Sequence, residues 1–98
     1  MSHRGSILVL PSGIRAWPAN ASDLQPADFH PFAAEAALID LLLIGTGVNH
    51  AALPKPAAAW LAESGIRHEV MATAAAARTC NVLLAEGRRA AAALIAVD

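Results

Sequence analysis

Few residues of this chain can do chemistry, and most of them fall between positions 45 and 86: Gly45-Thr46-Gly47, Thr73, Arg78, Thr79, Asn81 and Glu86. A Gly-Thr-Gly turn lets backbone approach a ligand closely. A helix opening at Thr73 would present free N–H groups and the positive end of its dipole, a natural seat for an anion. Arg78 and Asn81 stand three residues apart, so on a helix they project from neighbouring positions of one face and can hold a carboxylate or phosphate. Gly45, Thr46, Gly47, Thr73, Arg78 and Asn81 are therefore the candidate anion- or ligand-binding set. Each also has a plainer explanation. Thr73 reads by default as a helix N-cap. Gly-Thr-Gly lacks the lysine of a Walker loop and the length of a dinucleotide fingerprint, which leaves a tight turn. Arg78 can pair with Glu69 or Asp40, and Asn81 can tie down a loop.

The other candidates are poorer. His3, His30, His50 and His68 share no metal-ligand spacing, and there is one cysteine, so no metal site is expected. Cys80 falls on an apolar stripe with Ala76 and Leu83/Leu84, which makes it a small buried hydrophobe rather than a nucleophile. Ser6, Ser12 and Ser64 lack a nucleophile-elbow context, and no carboxylates stand at an evident catalytic separation. Glu86 sits where a helix dipole disfavours it, with Arg88 and Arg89 close enough in sequence for a local salt bridge. No catalytic residue and no cofactor are assigned, and two functions stay open: a non-catalytic protein-binding module, or a small-molecule (anion) binding protein or enzyme using the Gly45–Gly47/Thr73 rim.

These residues must be positioned by a small scaffold. The chain has 98 residues, 56% hydrophobic and 15% charged, enough for one α/β domain over residues 1–98. Seven Lys and Arg against a net charge of -1 leave no electrostatic footprint for nucleic acid. The lone cysteine fits a reducing, cytoplasmic compartment. The start Met1–Ser6 has no apolar signal core, and no run approaches the ~20 apolar residues of a membrane span, so no integral membrane segment is expected.

Ser6–Leu10 is β-rich, closes at Pro11-Ser12-Gly13 and continues into Ile14–Trp17, the pattern of a hairpin. Ala19 to Pro31 reads as a surface connection with at most a short helical turn around Pro26–Phe29, pinned by Phe29 and Phe32. Asp40–Ile44 is apolar after its first residue, the signature of a strand covered on both faces. A helix over Lys55–Ser64, with Trp60 and Leu61 inward and Gly65 as its stop, leads to a strand over Ile66–Met71. That order favours parallel neighbours, which brings Gly45–Gly47 and Thr73 to one carboxyl edge, where open α/β sheets place ligands. A second helix begins at Thr73 and ends at Gly87. The final segment, Arg88–Asp98, reads as a strand despite the helical propensity of Ala90–Ala93.

Taken together, Gly5–Pro11, Asp40–Gly47, Gly65-Ile66, Glu69–Met71, Thr73, Arg78-Thr79, Asn81 and Leu84–Arg88 resemble a small α/β family of unknown function that includes mitochondrial complex I assembly factor three. The resemblance implies a three-layer fold, a central mixed sheet of about five strands with helices packed on it, and no established enzymatic activity. It implies protein partners, among them respiratory-chain or translocase assembly components, with the eukaryotic relatives in the mitochondrial matrix. The chain departs from the family pattern at Ala72, Ala77 and Cys80, where relatives commonly carry an acidic or small polar residue, a cysteine and an aromatic residue. A thiol at the family's cysteine position is thus ruled out. Relatives usually carry a further N-terminal segment that includes a strand. This chain begins after it: either the start falls at an internal methionine, or the domain lacks that strand, and the second case predicts an open sheet edge and pairing with a second copy, a homodimer, through it.

Overall fold

The computed structural model describes residues 6–19, 24–48 and 51–96. Strands β1 (Ile7–Leu10) and β2 (Gly13–Ala16) form the hairpin, with Gly13 taking the positive φ its turn requires. A 3₁₀ turn over Pro26–Phe29 runs into the short helix α1 (His30–Ala34), and another over Ala36–Leu38 leads to β3 (Leu41–Gly45). Helix α2 (Lys55–Ser64), β4 (His68–Met71), α3 (Thr73–Ala85) and β5 (Ala90–Leu94) complete the chain.

The five strands make one mixed sheet of order β2-β1-β5-β3-β4. β3 pairs parallel with both β4 and β5, while β1 pairs antiparallel with β2 and β5. The expected parallel neighbours, β3 and β4, are joined through α2, with Ile44 opposite Val70 and Gly45 opposite Met71. The chain then crosses through α3 to place β5 on the other side of β3.

Period-two alternation sends successive side chains to opposite faces, which builds a hydrophobic cluster on each side of the sheet. Leu8, Leu42, Ile44, Ala91 and Ala93 meet the layer of α2 and the aromatic turns, where Phe29, Phe32 and Leu61 are fully buried. Trp17 is held there by an edge contact with Phe29, at 5.5 Å between ring centroids, and by donating its indole N–H to the Asp28 carbonyl at 2.8 Å. Trp60 is only half-buried and lies against His30 at 5.2 Å. The opposite cluster joins Leu43, Ala90, Ala92 and Leu94 to Ala76 and Cys80 of α3.

β5 explains the chain's alanine run. All five of its residues are buried, between β1 and β3 and under helices on both faces, so small side chains fit where larger ones have no room. Tertiary placement overrides the helical propensity of Ala90–Ala93.

Candidate functional site

β3 ends at Gly45, and the chain turns through Thr46 and Gly47 directly against the start of α3. The approach is close enough to require glycine: a Cβ on Gly45 would lie 2.7 Å from Thr73 Cα and 2.9 Å from Thr73 Oγ1. Gly47 has φ of +109°, a conformation that L side chains rarely adopt.

The groups at this rim bind one another. The Gly47 N–H donates to Thr73 Oγ1 at 2.8 Å, and the Thr73 hydroxyl donates in turn to the Ile95 carbonyl at 2.8 Å. The Thr73 N–H donates to the Gly47 carbonyl at 2.8 Å, and the Ile95 N–H to the Gly45 carbonyl at 3.0 Å. Thr46 donates from both N–H (2.9 Å) and hydroxyl (3.2 Å) to the Met71 carbonyl, and its hydroxyl accepts from the Ala51 N–H at 3.0 Å. Three segments, the end of β3, the start of α3 and the end of β5, are thereby tied at one point.

Thr73 is not the N-cap that its residue type suggests. Ala72 occupies that position, with no side-chain cap bond, and Thr73 is the first helical residue. Its side chain is buried beneath the Gly45–Gly47 turn, where one hydroxyl serves as both acceptor and donor between strand ends. The alternative to a cap was visible only once β5 was placed beside β3.

Arg78 and Asn81 do not join this cluster. Both are exposed, and Asn81 lies about 12 Å along the helix axis from Thr73 at ~1.5 Å per residue. Arg78 pairs with neither Glu69 nor Asp40: Asp40 is taken by Arg89, at 3.3 Å, across the opposite edge of the sheet. That contact also takes Arg89 from the expected pairing with Glu86, because Arg89 turns back toward the start of β3, and among the described residues Glu86 has no ion pair. Thr79 instead faces β4, its hydroxyl 3.9 Å from the Met71 sulfur.

Cys80 is buried on α3 with Ala76, as its stripe predicts, and burial pushes its thiol above the ordinary range. The stripe does not extend to Leu84, which is 44% exposed. Leu84 opens instead onto an apolar groove between α3 and the β1–β2 hairpin, lined also by Val9, Ile14, Cys80, Asn81 and Leu94. Sequence reasoning passed over this surface. Its one available signal was the apolar excess of Ile7, Val9 and Ile14 on one face of the hairpin.

No group of His, Cys, Asp or Glu among the described residues could hold a metal ion, and no described helix is long and apolar enough to cross a membrane.

A mixed sheet with helices on both faces, and a rim closed by its own hydrogen bonds, define a small α/β fold. The family model described as "Protein of unknown function (DUF498/DUF598)" matches residues 1–95, and the chain belongs to that family. An uncharacterized protein of Rhodobacter capsulatus is 41% identical over 93 residues, 95% of this chain and 70% of that protein. The crystal structure of an outer membrane protein from Bartonella henselae superposes with a TM-score of 0.90 at 45% identity, over all of this chain and 83% of that one. A Mth938-like domain from Bordetella pertussis, solved in solution, gives a TM-score of 0.76 at 29% identity over 94% of this chain and 73% of the other.

Proposed function

We propose that this chain is a non-catalytic protein-binding module of assembly-factor type, working in the cytoplasm on respiratory-chain or translocase components, in line with its resemblance to the family of complex I assembly factor three. One observation supports the reading above all. The carboxyl-edge rim uses its hydroxyls and turn amides internally, whereas the apolar surface between α3 and the hairpin stays open, with Ile14 69% and Leu84 44% exposed. An open apolar surface set apart from the polar rim is what a binding module needs, and exposed contiguous apolar patches mark interaction sites.

The test is in-cell crosslinking followed by affinity isolation of the tagged chain. Respiratory-chain or translocase subunits should accompany the wild type and be lost from Leu84→Glu, an exposed substitution that leaves the core untouched. Absence of respiratory-chain and translocase subunits from the wild-type isolate would refute it.

A second reading, a small anion held by Gly45, Thr46, Gly47 and Thr73 with Arg78 and Asn81 nearby, draws support from the placement of the α3 N-terminus against the Gly45–Gly47 turn. It predicts that millimolar phosphate or carboxylates shift the amide resonances of Gly45–Gly47 and Thr73–Ala76. Silence of those resonances would end it.

A further inference from the structure

The two faces of the sheet are covered unequally. α3 lies over β5 and β3, yet the same face continues across β1 and β2. Neighbouring strands are ~4.8 Å apart, so these two strands extend the face by about 10 Å, the width of one further helix. Ile7 and Val9 remain half-buried there and Ile14 is largely exposed. On the other side, Ala77 and Leu84 of α3 form the wall. Past the end of α3 the groove continues along Val9, Pro11 and Leu38 and meets Arg88 and Arg89.

Charge sets what can fill it. Among the described residues no carboxylate lines the groove. Arg89 is held by Asp40, but Arg88 is exposed and has no ion pair among the described residues. We infer that this groove is the docking site for an amphipathic helix of a partner protein, with apolar residues at helical spacing toward Ile14 and Leu84 and a carboxylate at the end that meets Arg88. The inference rests on the binding-module reading and names the chemistry of its partner. A helix at the normal interaxial distance of 8–10 Å from α3 covers the uncovered strands and completes the layer.

A second copy fits less well. The Trp17 N–H bonds inward to Ser6, so by alternation the outward amides of edge strand β2 are those of Ile14 and Ala16. They are flanked by Ser12, whose N–H is held by Glu35 at 2.9 Å, and by Pro18, which has none. A twofold pairing through Ile14 and Ala16 sets Arg15 directly opposite its own copy, an arrangement of like charges that opposes association.

The experiment selects a display library of random 16-residue peptides against the folded 98-residue chain and titrates synthetic versions of the enriched peptides by fluorescence anisotropy. Enriched sequences should carry apolar residues at i, i+3 or i+4, and i+7, with Asp or Glu at one end. Leu84→Glu should weaken binding at least tenfold. Arg88→Glu should weaken it similarly and be rescued by peptides whose acidic residues are changed to Lys. Both positions are exposed, and circular dichroism verifies that the variants fold. Enriched peptides that are basic, or whose binding neither variant changes, overturn the groove assignment while leaving the module reading intact. Concentration-dependent dimers abolished by Ile14→Glu in sedimentation overturn it in favour of a second copy. Absence of any enrichment also overturns the groove, and crosslinking in the native cell then decides the broader reading separately.

Discussion

Replacing Thr73 with valine isolates the hydroxyl that ties the sheet to α3. Valine has nearly the volume of threonine but no hydroxyl, so the substitution removes the one group that both donates and accepts. The Gly47 N–H then loses its acceptor at 2.8 Å and the Ile95 carbonyl loses its donor at 2.8 Å. The bond to the Ile95 carbonyl is buried and the one from Gly47 part-buried, so water does not freely replace both partners. An orphaned buried group costs about 1–3 kcal/mol, so two give roughly 2–6 kcal/mol. That is a large share of the ~5–15 kcal/mol that stabilises a typical domain. Thr73→Ser is the control: it keeps the hydroxyl and loses one methyl, for about 1 kcal/mol. Equilibrium urea unfolding separates them, since ~3 kcal/mol at a slope of ~1–3 kcal/mol/M moves the midpoint by at least about 1 M. Hydrogen exchange adds a local readout, because the Gly47 amide should lose protection in the valine variant relative to the serine one. Equal midpoints for Val and Ser, with Gly47 still protected, would refute the assignment of the hydroxyl as the tie.

Four further outcomes follow from the same structure. Gly45→Ala places a Cβ 2.7 Å from Thr73 Cα, so backbone must move and stability should fall by about 1–3 kcal/mol or more in the same urea assay. Asp40→Asn removes an exposed pair and should change stability by less than about 1 kcal/mol. Burial raises the Cys80 thiol pKa in the folded chain, so the unfolded chain gives up its proton first; stability should decline as pH rises through and above the ordinary thiol range, and Cys80→Ala should remove that part of the slope. Ala92→Val should destabilise by about 1–3 kcal/mol despite the better strand propensity of valine, because its neighbours Leu43, Ala76 and Cys80 leave it no volume.

What could be read in the sequence was whatever local chemistry decides. The hairpin at Pro11-Ser12-Gly13, the α2 boundaries at Pro54 and Gly65, and the both-faces-buried run of β3 follow from turn residues, caps and hydrophobic pattern. Adjacency of β3 and β4 follows from the handed crossover between them. What depends on non-local placement was hidden. Thr73 is identical as a string whether its hydroxyl caps its own helix or bridges Gly47 and Ile95, and only the position of β5 separates the two. Arg89 prefers Asp40 to Glu86 because β5 returns it beside β3, a pairing 49 residues apart.

The same reasoning explains why the polar residues drew attention first and the apolar groove did not. A threonine, an arginine and an asparagine near a glycine turn look like a site because polar groups are scarce in this chain. Yet scarcity also means that buried polar groups must satisfy one another, and the rim does so with its own hydroxyls and amides. Apolar residues carry the opposite bias. Ile14 and Leu84 read as ordinary core members of a strand and a helix, and their exposure arises only because β2 is an edge strand and α3 stops short of the hairpin. Function in so small an α/β fold is therefore sought where its layers fail to cover each other: a single face extends two strands beyond its helix, and the surplus is apolar with a cation at its end.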